Sequence, residues 1–220
     1  MPTEIKICGL SDEEGVDAAL AAGADYVGFV FFPRSPRHVS LQRAADLAAR
    51  VHGKAGIVAL TVDADDTLLR DIVGALRPEF LQLHGSEPGE RVEAIRMLTG
   101  VAVMKAAGVE NAGDLVRLAA FGADRLLLDA KPPRDASRPG GNGVAFDWTV
   151  LAGFAPQKAW FLSGGLNPAN VGDALTMTGA PGLDVSSGVE SSPGRKDPAL
   201  IETFVAAVRA AEQPRHRLAG

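Results

Sequence analysis

The sequence predicts a single α/β domain folded as a (β/α)8 (TIM) barrel, and three observations carry that prediction. Short β-branched apolar runs alternate with amphipathic helical runs eight times in 220 residues, about 27 residues per unit. Gly-rich turns, Ser163-Gly164-Gly165 and Ser186-Ser187-Gly188, follow the last two of these strands, where such a barrel holds phosphate. The turn after the first strand, Cys8-Gly9-Leu10-Ser11, has only one glycine. An open nucleotide-binding sheet shares the alternation but places its Gly-rich turn there.

Taken in order, the first strand is Glu4–Cys8. Ser11 with Glu14 reads as a capping box ahead of Val16, Ala19, Leu20 and Gly23 at helical spacing. Gly23-Ala24-Asp25 stops that helix before the second strand, Tyr26–Phe31, and the same punctuation recurs at Gly122-Ala123-Asp124. Ser40 opens a helix with Leu41, Ala44, Leu47 and Val51 on one face. Strand three is Gly56–Val62, and its helix, with Leu68, Leu69, Ile72, Val73 and Leu76, ends at Pro78. Strand four is Phe80–His84, with Pro88 opening the next helix. Strand five is Val101–Ala106, followed by Leu115, Leu118 and Ala119 at helical spacing. Strand six is Arg125–Asp129, and a long loop follows it. Strand seven is Ala159–Ser163, its helix capped by Asn167 with Pro168 at the first helical position. Strand eight is Leu183–Val185, and a last helix carries Ile201, Phe204, Val205 and Val208. The barrel domain is expected over 1–212, with a polar, frayed tail over 213–220.

Composition narrows the function. A net charge of −5 and a pI near 5.4 argue against a nucleic-acid or anionic-membrane surface. No apolar run approaches the roughly 20 residues of a membrane span, and no secretory signal precedes the first strand. A single cysteine, Cys8, excludes an intramolecular disulfide and a thiolate-rich metal site, so the cytoplasm is the expected compartment. No His/Cys/Asp/Glu set has metal-ligand spacing and no nucleotide-type Gly-rich loop occurs, so no cofactor is expected.

A barrel's active site forms at the C-terminal ends of its strands, which turns the strand assignments into a short list of residues. Lys6 and Cys8 share a face at the end of strand one, and Gln82 and His84 share one at strand four. Lys105, Asp129 and Asp184 occupy strands five, six and eight. Each has a plainer reading. A lone cysteine is commonly a small buried apolar residue, although Lys6 beside it favours the thiolate. His84 also fits as a strand-end residue, and Asp129 also fits as the partner of Lys105 or Lys6. Asp184 also fits as a support for the Ser-Ser-Gly turn. The stiff loop Phe32-Pro33-Arg34-Ser35-Pro36-Arg37-His38 concentrates positive charge at the same rim. It suits bidentate binding of a carboxylate or is a solvated surface loop. Lys131–Gly143 reads as a flap over the pocket or an idle loop. The two Gly-rich turns form a phosphate cradle from unpaired N–H groups. These residues describe an acid–base enzyme acting on a phosphorylated, doubly anionic metabolite.

The motifs resemble those of the phosphoribosylanthranilate isomerases of tryptophan biosynthesis. The matching pieces are Lys6-Ile7-Cys8-Gly9, Gly28-Phe29-Val30-Phe31 with Pro33 to Arg37, Gln82-Leu83-His84-Gly85 and Leu127-Leu128-Asp129. Further along come Gly140-Gly141-x-Gly143 with Phe146-Asp147-Trp148, Leu162 to Pro168, and Asp184-Val185-Ser186-Ser187-Gly188-Val189-Glu190. Asn142 departs from the family's usual threonine. The resemblance implies an Amadori rearrangement with Asp129 as general acid and Cys8 as general base. It also implies that Arg37 holds the anthranilate carboxylate, that Gly164, Gly165, Ser186, Ser187 and Gly188 hold the phosphate, and that the enzyme is a monomer. For these roles a thiolate near neutral pH and a protonated carboxyl are required, with Lys6 expected to lower the thiol's pKa. The rivals are a related barrel, such as the histidine-pathway isomerase or the tryptophan synthase α subunit, and a non-catalytic phosphometabolite binder. In the histidine-pathway enzyme an aspartate would stand where Cys8 is, and Cys8 with Asp129 argues for retained chemistry.

Overall fold

The computed structural model describes residues 1–131, 140 and 147–212. Eight parallel strands close into a barrel in chain order: β1 (Glu4–Cys8), β2 (Tyr26–Phe31), β3 (Gly56–Thr61), β4 (Phe80–Leu83), β5 (Ala102–Val109), β6 (Arg125–Ala130), β7 (Trp160–Leu162) and β8 (Gly182–Val185). Around it lie α1 (Glu13–Ala22), α2 (Leu41–Val51), α3 (Asp66–Leu76), α4 (Gly89–Thr99), α5 (Ala112–Ala119), α6 (Val171–Thr178) and α7 (Pro198–Glu212).

Period-two alternation sorts each strand's side chains into two layers. Ile5, Ile7, Val27, Phe29, Leu81, Leu83, Leu126 and Leu128 face outward and pack under the helices. Tyr26, Val58, Phe80, Met104, Ala106, Leu127 and Phe161 fill the barrel interior. Because both faces are buried, the strands read as nearly continuous apolar runs, and Lys6, Gln82, Asp129 and Asp184 are buried polar residues on the inward face.

Several expected boundaries moved. The cap of α1 is Asp12, whose carboxylate accepts from Gly15 N at 2.8 Å. The Ser11–Glu14 box does not form, because the Ser11 hydroxyl donates instead to Gly194 O at 3.3 Å. Strand β5 continues three residues beyond Ala106. Asn167 and Pro168 belong to a turn before α6 rather than to its first residues, and α6 starts at Val171. Seven α-helices, not eight, occur among the described residues, and the described part of the β6–β7 connection is a 3-10 turn, Trp148–Leu151. A hairpin absent from the sequence expectation, β9 (Glu190–Ser192) with β10 (Arg195–Lys196), follows β8. Most of the expected flap, Lys131–Gly143, and the 213–220 tail lie outside the described residues. No described helix is long and apolar enough to cross a membrane.

Candidate active site

The inward face of β1 carries Lys6 and Cys8 to the barrel mouth. Strands β1 and β8 set Lys6 opposite Asp184, and Lys6 Nζ donates to Asp184 Oδ1 at 2.7 Å with both side chains buried. The other Asp184 oxygen accepts from Ser163 Oγ at 3.2 Å. Cys8 faces Gly28 across the β1–β2 pair. A Cβ at position 28 would come within 3.0 Å of the Cys8 sulfur, so the glycine keeps the space the thiol occupies.

The electrostatics of this group depart from expectation. Burial pushes the Cys8 thiol up most strongly and the Asp184 carboxylate adds to that. Lys6 and Lys196 pull the thiol down, but the net shift is upward. The expected lowering by Lys6 is therefore real in sign and outweighed in size. For Lys6, burial pulls down, while Asp184 and Cys8 outweigh it and raise the ammonium's pKa.

Across the mouth, Asp129 is buried, and its Oδ1 accepts from Ala130 N at 2.8 Å. Its Oδ2 lies 3.3 Å from His84 Nε2, without hydrogen-bond alignment, so that nitrogen is left unsatisfied among the described residues. Gln82 Nε2 stands 3.2 Å from His84 Nδ1, and Gln82 Oε1 has no partner among the described residues. Asp129 pairs with neither Lys6 nor Lys105. Lys105 leaves the mouth altogether, because Met104 and Ala106 hold the inward positions of β5. Its ammonium donates to Gly85 O and Glu87 Oε2, both at 2.8 Å, which pins the loop after β4.

Of the charged residues in the loop after β2, only Arg37 turns inward, and it is 4% exposed, while Arg34 and His38 stay in solvent. Glu190 grips Arg37, with Nε to Oε1 at 2.6 Å and Nη2 to Oε2 at 2.8 Å. Lys196 Nζ joins the same carboxylate at 2.7 Å. Sequence reasoning named neither Glu190 nor Lys196 as a site residue. The Pro193-Gly194 turn signal between two opposite charges was the available clue.

Both Gly-rich turns border the same space. Gly164 and Gly165 adopt left-handed backbone, with φ of 85° and 63°, and their N–H groups find no acceptor among the described residues. Asn170 Nδ2 holds the Gly165 carbonyl at 3.0 Å, a support the sequence did not reveal. Ser186 Oγ donates to Cys8 O at 3.0 Å, tying the second turn to β1. Gly188 lies behind this turn rather than in the cleft. A Cβ there would fall 1.9 Å from Leu166 O, so glycine lets the two turns pack together.

These groups surround one cleft that opens to solvent. Cys8, Arg37, Gln82, His84, Asp129, Gly164, Gly165, Asp184, Ser186 and Ser187 all line it, while Lys6 lies beneath. Val30, Phe32, Leu60 and Val62 supply an apolar wall. Among the described residues no three His, Cys, Asp or Glu side chains are grouped to hold a metal. An acid, a base, a cation and an anion cradle on one cavity can move protons on a bound dianion.

Comparison with known proteins gives this arrangement a family. The model of the N-(5'-phosphoribosyl)anthranilate isomerase family matches residues 5–207. The N-(5'-phosphoribosyl)anthranilate isomerase of Rhodopseudomonas palustris strain BisB5 is 55% identical over 215 residues, 97% of this chain and 99% of that protein. The crystal structure of phosphoribosyl anthranilate isomerase from Thermotoga maritima superposes with a TM-score of 0.85 at 34% identity, covering 94% of this chain and 99% of the other. A phosphoribosyl anthranilate isomerase in complex with reduced 1-(o-carboxyphenylamino)-1-deoxyribulose 5-phosphate gives a TM-score of 0.82 at 32% identity, with the same coverage.

Proposed function

The chain belongs to the N-(5'-phosphoribosyl)anthranilate isomerase family, and from that premise we propose that it performs the Amadori rearrangement of N-(5'-phosphoribosyl)anthranilate in tryptophan biosynthesis, with Asp129 as general acid and Cys8 as general base. The observation that carries this reading is the placement of Cys8 on β1 and Asp129 on β6, lining one cleft that Arg37 and the two Gly-rich turns also line.

The Gly164-Gly165 and Ser186-Ser187 turns hold the phosphate, and Arg37 holds the ring carboxylate. With both ends fixed, the sugar lies between acid and base. The Asp129 carboxyl gives its proton to the furanose ring oxygen, the C1′–O bond breaks, and the nitrogen lone pair forms the C1′=N bond. The Cys8 thiolate then takes the C2′ proton, and those electrons form the C1′=C2′ bond of the enolamine while the nitrogen regains its lone pair. Tautomerisation yields the ketone. One proton is lost by Asp129 and one is gained by Cys8, so the substrate balances without a co-reactant. Proton exchange with solvent returns Asp129 to its acid and Cys8 to its thiolate before the next turnover. His84 and Gln82 border Asp129, and Lys6 with Asp184 set the field at Cys8. Since burial holds the thiol above its ordinary range, the thiolate is a minority form in the ligand-free enzyme at neutral pH.

The test is turnover followed by loss of anthranilate fluorescence. Cys8→Ser and Asp129→Asn are each expected to lower kcat by at least about 100-fold. Losses under about tenfold, a barrier change of ~1.4 kcal/mol, remove the assigned roles.

The enzyme is further read as one catalytic domain over 1–212, a cytoplasmic monomer. Arg209 and Glu212 at the end of α7 bond to Thr3 beside β1, tying the last helix to the barrel's first strand. The lone cysteine and acidic pI fit the cytoplasm. Sedimentation at a mass near 22.8 kDa supports the monomer, and twice that mass refutes it.

A further inference from the structure

We propose that the β9–β10 hairpin is the positioning element of the carboxylate end of the cleft, with Glu190, steadied by Lys196, fixing the Arg37 guanidinium so that one edge stays open to the ligand. The inference rests on the reading of Arg37 as the carboxylate anchor. It assigns Glu190 and Lys196 a role in which neither touches substrate.

The geometry is that of a clamp. Glu190 occupies the Nε and Nη2 side of the guanidinium at 2.6 and 2.8 Å. No described residue accepts from Nη1, and Arg37 borders the cleft. A guanidinium has five N–H donors in a planar fork. One side taken in bidentate fashion leaves the other able to receive a second carboxylate in the same plane. A free arginine would lose its rotamer freedom on binding, whereas one held in advance has already lost it.

Glu190 is itself held. Lys196 Nζ lies 2.7 Å from Oε1, and Gly194 N donates to Oε2 at 3.3 Å across the hairpin turn. Burial alone would push the Glu190 carboxyl up, but Arg37 and Lys196 reverse that, and the net shift is downward. Lys196 also donates to Ser186 O at 3.0 Å, while Ser186 Oγ bonds the Cys8 carbonyl. The hairpin therefore joins the carboxylate anchor, a phosphate turn and the strand bearing the base. Burial pulls the Lys196 ammonium's pKa down, and the Glu190 carboxylate beside it opposes that pull without reversing it.

The experiment compares phosphoribosylanthranilate with its decarboxylated analogue, phosphoribosylaniline, as substrates for wild type, Glu190→Gln, Arg37→Ala and the double variant. Glu190→Gln is expected to raise KM for the carboxylated substrate about tenfold with kcat within about threefold of wild type. Its preference over the aniline analogue should fall by a similar factor. Arg37→Ala should abolish that preference, and in its background Glu190→Gln should change KM by less than about twofold. Should Glu190→Gln fold poorly, Glu190→Asp keeps the charge and shortens the arm. It is expected to give an intermediate preference, and a wild-type preference would count against the clamp. Independent, multiplying effects of Glu190→Gln and Arg37→Ala overturn the proposal, as does an equal rise in KM for both substrates. Loss of preference in Arg37→Ala with full preference in Glu190→Gln refutes the hairpin's role alone. Retained preference in Arg37→Ala refutes the carboxylate role of Arg37 and the clamp with it.

Discussion

The barrel interior has two ends, and both carry charge that they treat in opposite ways. At the floor, the Arg125 guanidinium lies over three aromatic rings, 5.5 Å from Tyr26, 4.9 Å from Phe80 and 5.6 Å from Phe161. It also pairs with Glu4, to which the Tyr26 hydroxyl donates at 3.2 Å. Tyr26 meets both phenylalanines edge-on at 5.9 Å. Each floor charge finds its complement in the protein. At the mouth, Gln82 Oε1 and His84 Nε2 have no partner among the described residues, and Arg37 keeps one edge unused. A buried polar atom without a partner costs about 1–3 kcal/mol, a cost that a ligand pairing Gln82 and His84 would recover. Thr61 Oγ1 and Trp148 Nε1, also unpaired among the described residues, do not line the cleft. The floor closes the barrel and the mouth waits for substrate.

Lys6 lies between the two ends and should give the largest effect on stability. It is fully buried, and its ion pair with Asp184 spans the first and last strands. Lys6→Met leaves the Asp184 carboxylate buried with only Ser163 as a hydrogen-bond partner. The expected loss is about 3–5 kcal/mol of unfolding free energy, measured by guanidinium denaturation at neutral pH. A loss below about 1 kcal/mol would place the pair with exposed ion pairs and break the claim that the interior charge holds the barrel shut.

Arg125→Ala should have a smaller effect, confined to the floor. It removes three cation–π contacts and the Glu4 pair at a partly exposed site, worth about 1–3 kcal/mol together. The melting temperature should fall by about 2–10 °C, while kcat/KM stays within about twofold of wild type. A parallel drop in kcat/KM would mean that the two ends are coupled.

The same contrast explains what was legible in the sequence. Cys8, Gln82, His84, Asp129 and Asp184 could be placed because each is a polar residue ending an apolar strand, and the barrel rule fixes which end matters. Lys105 was misplaced for a physical reason. Strand β5 is apolar on both faces, with Val103 outward and Met104 and Ala106 inward, so alternation gives no phase and the lysine's side is ambiguous. Its true partner, Glu87, lies in a loop whose path depends on tertiary packing. The β9–β10 strands are three and two residues long, too short to show alternation, and so the clamp on Arg37 stayed hidden. The Asn170 contact to Gly165 was likewise invisible, because Asn167 alone satisfies a cap pattern.

The finest effect expected is at Cys8, where the mouth's charges set a titration. Burial and Asp184 raise the thiol's pKa, and Lys6 lowers it, with burial the largest influence. The rate of iodoacetamide alkylation should therefore rise with pH through a midpoint above that of an ordinary free cysteine. Asp184→Asn removes a negative neighbour and should move the midpoint down. Lys6→Met removes a positive one and should move it up. Because a thiol base works as the thiolate, kcat/KM should follow the same rise on its acid limb. The three midpoints then order as Asp184→Asn below wild type below Lys6→Met. A wild-type midpoint below the ordinary thiol range would mean that Lys6 outweighs burial, making the thiolate the resting form and the mouth an already charged site.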